Sequence, residues 1–348
     1  MMRIGKFTDF YRDVTKAGTK IPQEKYLKVG HYPVIDQGRQ AIVGRWDSDD
    51  GICKEIPAII FGDHTRAIKY IEEPFFIGAD GVKILRPVNV QDNPKYLYYA
   101  LQAARIPNLG YSRHFKALKE LDFHVCSIEK QDEIVRILEK IDYLIEQCHE
   151  EDSCLNQIVK SRFIELFGDP VSNSYGLPEA TLSDLGEFGR GVSKHRPRND
   201  IKLLGGKYPL IQTGDVANAG LYITSYGNTY SELGLRQSKM WDKGTLCITI
   251  AANIAKTAIL EFDACFPDSV VGFIANERTN NIFIHYWFSF FQEILESQAP
   301  ESAQKNINLK ILSELKVIVP EKRKQDEFAS FVKLTDKSKL CSEMEVAA

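Results

Sequence analysis

Basic residues set in stretches broken by Gly and Pro are the main chemistry this sequence offers. One dense run, Lys194-His195-Arg196-Pro197-Arg198, has no apolar rhythm and belongs in a loop. Arg can meet guanine O6 and N7 together, Asn and Gln can do the same for adenine, and Lys mostly meets phosphate. Such loops suit a nucleic-acid duplex. A solvated surface explains any one exposed Arg equally well, so recurrence has to decide. Catalysis has thinner support. Ser112-Arg113-His114 has no Asp or second His at a spacing that suggests a triad, and His114 is kept only as a recognition group. Gly186 to Gly191 has its glycines at the wrong spacing for a nucleotide loop. The seven cysteines form no C-x-x-C pair and no zinc-like cluster, so buried reduced thiols are expected, with no metal site.

Recurrence is present, because the first half of the chain returns in the second with growing offsets. Val14-Thr15-Lys16 comes back as Val192-Ser193-Lys194, 178 residues on, and Tyr32-Pro33-Val34-Ile35 as Tyr208-Pro209-Leu210-Ile211, 176 on. Thr65-Arg66-Ala67-Ile68 is shadowed at 190 by Ala255-Lys256-Thr257-Ala258, and Gln131-Asp132-Glu133-Ile134 at 194 by Gln325-Asp326-Glu327-Phe328. The shared order carries more weight than any one match. It pairs Lys16 with Lys194, Arg66 with Lys256, and Arg113 with Lys305. The loop containing Arg39 then matches the one containing Gln212, and Ser112-Arg113-His114 matches Gln304-Lys305-Asn306. About fourteen extra residues are expected in the second copy, near Tyr222 to Arg236.

Each copy reads as short β-prone runs, an amphipathic helix, a polar loop, a last strand and a long helix. The strands expected are 32–35, 58–61, 68–71 and 81–85, then 208–211, 245–250, 257–260 and 270–274. The helices expected are 94–104 and 282–296. From Gln131 to Phe167 a heptad seam of Ile134, Ile141, Cys148 and Leu155, its pattern broken once at Glu150-Glu151-Asp152, predicts a rod. At 1.5 Å per residue it would span about 55 Å, the length of a spacer with a domain at each end. Gly168-Asp169-Pro170 closes it. A second helix of about half that length is expected over 321–342.

Length fits two domains, and no apolar run is long enough to cross a membrane, so a cytoplasmic protein is expected. The net charge of −3 hides a segregation. Residues 1–125 hold 19 basic and 15 acidic residues, whereas 126–170 hold 5 and 11, a balance of −6 concentrated in the rod. The end domains remain open to nucleic acid.

With the copies and helices placed, the chain resembles the specificity (S) subunit of a type I restriction-modification system. The residues that carry the likeness include Tyr32–Ile35, Ala79-Asp80-Gly81-Val82-Lys83-Ile84-Leu85, Ser112 to Leu118, Glu129 to Ile134, and above all Ser161-Arg162-Phe163-Ile164-Glu165-Leu166-Phe167-Gly168-Asp169-Pro170. The resemblance implies an α+β or α/β protein with two similar target recognition domains, 1–126 and 169–320. Long antiparallel, coiled-coil-like spacer helices, 127–168 and 321–348, would link them. It implies double-stranded DNA as ligand, modification (methyltransferase) subunits as partners and a restriction or motor subunit as a further one. No cofactor is implied on this chain, because S-adenosylmethionine and ATP would act on the partner subunits, and the S subunit is non-catalytic. The shorter second helix leaves the entrance of the rod uncovered, so Ile134, Ile141 and Leu144 are expected to dock the modification subunits. Two other readings compete. Asn93-Pro94-Lys95-Tyr96 resembles the base-holding loop of adenine-specific DNA methyltransferases, although Lys95 replaces its second Pro and helix initiation explains Pro94 better. A scaffold that reads no DNA would keep the rod and leave the basic loops without work.

Overall fold

A computed structural model describes residues 2–78, 80–110, 112–198, 200–251, 254–298 and 309–347, with the backbone alone for 293–298 and 337–347. The chain divides into two packing units, Met1–Ile145 and Glu146–Ala348.

The first unit contains strands β1 (Arg3–Lys6), β2 (Tyr11–Asp13), β3 (Tyr32–Ile35), β4 (Gly44–Trp46), β5 (Ala58–Gly62), β6 (Ile68–Ile71), β7 (Phe76–Ile77), β8 (Val82–Pro87) and β9 (Asp122–Val125). Its helices are α1 (Phe7–Phe10), α2 (Pro94–Gln102), α3 (Phe115–Lys119) and the first part of α4 (Ile128–Phe167). The main sheet runs β2-β8-β5-β6, a second runs β4-β3-β7, and β1 pairs with β9. Strand β5 is buried along its whole length because both its faces are covered. Ile59 and Phe61 pack with Leu97, Leu101, Phe115 and Leu118 from the helices, while Ala58 and Ile60 pack with Ile35, Phe75 and Ile77. Helix α2 starts where Asn93 Oδ1 accepts the N–H groups of Lys95 and Tyr96, at 2.9 and 3.1 Å, with Pro94 at the first helical position.

In the second unit the strands are β10 (Glu179–Thr181), β11 (Gly186–Arg190), β12 (Leu204–Leu210), β13 (Tyr222–Ile223), β14 (Asn228–Tyr230), β15 (Met240–Trp241), β16 (Leu246–Thr249), β17 (Thr257–Leu260), β18 (Ala264–Cys265), β19 (Val270–Ala275) and β20 (Lys316–Ile318). The helices are α5 (Thr213–Asn218), α6 (Glu232–Arg236), α7 (Asn281–Gln298), α8 (Leu309–Glu314) and α9 (Lys322–Ala347). Its sheets run β11-β19-β16-β17-β13 and β14-β12-β18-β15, with β10 paired to β20. The internal repeat is written in the strand register. Pro33 and Pro209 each lie in a strand paired antiparallel on one side, opposite Arg45 and Thr229, and parallel on the other, where Val34 meets Phe76 and Leu210 meets Cys265. Both units are helix-covered, mostly antiparallel sheets, which is the α+β side of the expectation.

Eight of the extra residues of the second copy fall between Leu210 and Asn228, so the insertion begins earlier than the expected Tyr222. Val34 to Gly44 spans ten residues and Leu210 to Asn228 spans eighteen, between strands paired in the same way. The additional eight build α5 and β13, and β13 adds a fifth strand by pairing parallel to β17, Tyr222 opposite Ile259.

Helix α4 is continuous over 40 residues and starts three residues before the expected Gln131. It runs unbroken through Glu150-Glu151-Asp152, where only the heptad pattern is interrupted, because charged side chains on an exposed helical face cost the backbone hydrogen bonds nothing. Helix α9 has 26 residues, about two thirds of α4 rather than half. Within the second unit the two run antiparallel. Glu327 accepts from Arg162 at 2.7 Å, Phe328 meets Phe163 and Phe167 with ring centroids 5.3 and 5.8 Å apart, and Val332 is buried with Val159. Among the described residues six cysteines are free thiols, and no helix is long and apolar enough to cross a membrane.

Candidate nucleic-acid interface

In the first unit the β5–β6 turn gathers three loops. Gly62 N–H donates to Ala67 O and Arg66 N–H to Gly62 O, both at 2.8 Å, and Arg66 takes a φ of +60° to close the turn. Asp63, 4% exposed, is its organiser. Its N–H donates to Gly81 O at 2.7 Å, tying the turn to the start of β8. The Asp63 carbonyl accepts the N–H of His114 at 2.8 Å, and its carboxylate accepts the N–H of Phe115 at 2.7 Å. The loop ending at Phe115 is thereby clamped onto the turn. Gln37 joins from a third loop, its Oε1 accepting from His64 N–H at 3.2 Å and its carbonyl from Thr65 Oγ1.

Three of the expected basic residues come together on this frame. Arg39 and Arg66 border one shallow depression of about 250 Å³, beside Gln102 and Ile106. Arg66 Nη1 donates to Ile106 O at 3.1 Å, so its guanidinium is already oriented. Arg113 is exposed, with Nε 4.0 Å from Asp63 Oδ2. Lys16 is exposed on the single turn Thr15–Ala17.

His114 corrects an expectation. It is 1% exposed, and both ring nitrogens are committed: Nδ1 lies 2.9 Å from the Asp63 carbonyl, and Nε2 accepts Leu109 N–H at 3.1 Å. A carbonyl only accepts and an amide N–H only donates, so the ring hydrogen sits on Nδ1. This histidine holds the loop's shape and is closed to a base.

In the second unit the run from Lys194 to Arg198 is exposed, as expected. Arg196 Nη1 donates to the carbonyls of Ser193 and His195, at 2.5 and 2.8 Å, and its Nη2 lies 3.7 Å from Asp268 Oδ2. Arg198 pairs with Oδ1 of the same Asp268. His195 Nε2 lies 3.1 Å from Asp200, whose carboxyl is held below its usual range chiefly by the backbone N–H of Lys202 and then by His195. Gln212 is exposed just before α5, where its N–H donates to Asp215 at 2.7 Å. Lys305 and Asn306 lie outside the described residues.

The pairing of Arg66 with Lys256 is off by one. Thr249 N–H donates to Lys256 O and Ala255 N–H to Thr249 O, both at 2.9 Å, repeating the bonds of Gly62, Ala67 and Arg66. Ala255 has φ +59° and is therefore the counterpart of Arg66, while the half-buried Lys256 matches Ala67. The second turn is two residues longer, which a single sequence offset cannot show.

Ile134 is also corrected, because it is half-buried against the core of the first unit. Ile141 and Leu144 are exposed at 43% and 39%, joined by Ile137 at 54% and Ile145 at 42%. Positions 137, 141, 144 and 145 share one helical face. Asn93 is a helix cap whose Nδ2 donates to Asp132 at 2.8 Å, and Tyr96 is buried, so neither is placed to hold a flipped base. Among the described residues no group of His, Cys, Asp and Glu could hold a metal ion. The sequence reading missed Asp63, Lys20, Asp80 and Asp268. Lys20 pairs with Asp80, which lies just ahead of β8, as Asp268 lies just ahead of β19. Lys20, with Arg113 adding a smaller effect, holds the Asp80 carboxyl below its usual range.

A family model described as the type I restriction modification DNA specificity domain matches residues 3–153 and again 178–343. The chain is 22% identical over 280 residues to a protein of Methanocaldococcus jannaschii assigned as the type I restriction enzyme MjaX specificity subunit. That match covers 75% of this chain and 66% of the relative, just under two thirds of its length. The crystal structure of a type I restriction-modification S subunit from M. genitalium superposes with a TM-score of 0.58 at 16% identity, covering 100% of this chain and 92% of that one. At that identity the likeness is one of fold.

Proposed function

This chain belongs to the type I restriction-modification DNA specificity family, and from that premise we propose that it reads a bipartite site in double-stranded DNA, one half-site per unit. The observation that carries the reading is the turn built twice with the same hydrogen bonds, at Gly62–Ala67 and Thr249–Lys256, beside loops rich in exposed cations. Arg39, Arg66 and Arg113 would meet DNA from the first unit, and Lys194, Arg196, Arg198 and Gln212 from the second. Lys16 and Lys256 would meet phosphate, and Lys305 and Asn306 complete the expected set. Guanidinium groups held by protein carbonyls, as in Arg66 and Arg196, lose less freedom on meeting a base than free side chains do. Two linked readers also gain from effective concentration, since docking one confines the other near its own half-site.

In this reading the chain is non-catalytic and acts in the cytoplasm. Modification subunits carry S-adenosylmethionine and do the methyl transfer, and a restriction or motor subunit uses ATP. The apolar face of Ile137, Ile141, Leu144 and Ile145 is where modification subunits would pack, since four apolar side chains open on one face favour a protein partner. The test is to express the chain with its modification partner and map methylated adenines across the host DNA. A two-part motif with an unread gap is expected; methylation without such a motif would refute the reading.

A further inference from the structure

The same ion pair is built once in each unit, at positions the repeat makes equivalent. Gly62 lies opposite Val82, and Thr249 opposite Val270. Asp63 N–H donates to Gly81 O, as Ile250 N–H does to Ser269 O at 3.0 Å. Those registers set Asp80 against Asp268, 188 residues apart. The cations follow the other offset already found: Val14 to Val192 is 178 residues, and so is Lys20 to Arg198. Lys20 holds Asp80, and Arg198 holds Asp268. Each acid also faces a further expected reader, Arg113 near Asp80 and Arg196 at 3.7 Å from Asp268.

A carboxylate among cations that meet phosphate weakens the general attraction for DNA, so its recurrence needs another reason. An ion pair between exposed side chains adds little stability. What it does restrict is the direction in which a long side chain points. Both oxygens of Asp268 are engaged, Oδ1 with Arg198 and Oδ2 with Arg196, which spreads two guanidinium groups from one anchor. Resting on the proposed function, we infer that Asp80 and Asp268 are positioning residues that aim Lys20 and the Arg196/Arg198 pair at base edges, and so set sequence preference in each half-site. Lys20 thereby joins the contact set of the first unit.

The experiment uses the assembled complex with its modification partner and reads methylation motifs genome-wide. Asp268→Asn should relax preference by about tenfold at one or more positions of a single half-site, the scale of one good base contact. Asp80→Asn should do the same to the other half-site alone, so each variant carries its own control for folding. Asp268→Asn added to the Arg196→Ala/Arg198→Ala pair should lose no more than that pair does alone. Unchanged base preference in both Asn variants, or a further loss when Asp268→Asn is added to the Arg196→Ala/Arg198→Ala pair, overturns the inference while leaving the proposed function standing. A wild-type complex with no two-part motif overturns both.

Discussion

Replacing Asp63 by Ala tests how much of the first unit's proposed reading face hangs on one buried carboxylate. The substitution removes the acceptor of the 2.7 Å bond from Phe115 N–H, in a residue only 4% exposed. A hydrogen bond to a charged group contributes about 1.5–3 kcal/mol, and a buried donor left without a partner costs about 1–3 kcal/mol more. A loss of roughly 2–4 kcal/mol is expected, since the two effects overlap. Asp63→Asn keeps an acceptor oxygen at nearly the same place and should lose only about 1 kcal/mol. Hydrogen exchange at the β5 amides of Ile60 and Phe61 reports on this unit alone. Exchange there should quicken by about 30- to 700-fold in the Ala variant, at 1.4 kcal/mol per tenfold, and by about fivefold in the Asn variant. The amides of β16 should not change. Equal exchange in wild type and Asp63→Ala would refute the argument that this carboxylate clamps the loop.

Ile137→Asp together with Ile141→Asp should abolish co-purification with modification subunits while hydrogen exchange in both units stays as in wild type; retained assembly would remove that face as the docking surface. Ile134→Asp should instead destabilise the first unit, because this residue packs into its core. His285 gives the second unit a pH dependence: burial pushes the imidazole down to about 4, with Nδ1 3.0 Å from Thr257 Oγ1. The unfolded chain takes up that proton near pH 6.5, so the stability is present above 6.5 and is lost as pH falls towards 4, by up to about 3 kcal/mol. Urea unfolding followed by Trp241 and Trp287 fluorescence in a Trp46→Phe background should show this loss, and His285→Gln should flatten it.

Much of the architecture was legible because it rests on local patterns. The run 58–61 is continuous and apolar, so it reads as a strand buried on both faces, and it is one. Tyr-Pro followed by two aliphatic residues marks the same strand in both copies, and the rod's spacing of Ile and Leu marks α4. Contacts distant in sequence left no such trace. His114 sits in a polar loop and reads as a surface group, yet its burial is decided by Asp63, 51 residues away. Helix α5 and strand β13 are six and two residues long, too short for a periodic signal. Arg66 was matched with Lys256 because residue types align there at 190, whereas the backbone that must close the turn aligns at 189. The pairing of Asp80 with Asp268 carried a faint signal, an acid two residues ahead of a strand that begins with Val in both copies, but the choice of cation partner lay 60 residues from Asp80.

Helix α4 belongs to both packing units, and this limits how such a protein can be cut and recombined. The border at Ile145 falls inside the helix, so the first unit's core includes Ile134 and Val135, and its surface includes the bonds of Lys95 to Glu139 at 2.9 Å and Tyr99 to Asp142 at 2.6 Å. A graft joined where the globular strands end, near Val125, would set a foreign core against helix residues chosen for this one. The buried mismatch alone would cost about 1–3 kcal/mol. Carrying the helix through Ile145 keeps those contacts within one parent, and a junction in the middle of a helix needs only that the new sequence continue the turn. Chimeras of new specificity are therefore expected to fold best when spliced inside the rod, away from its ends.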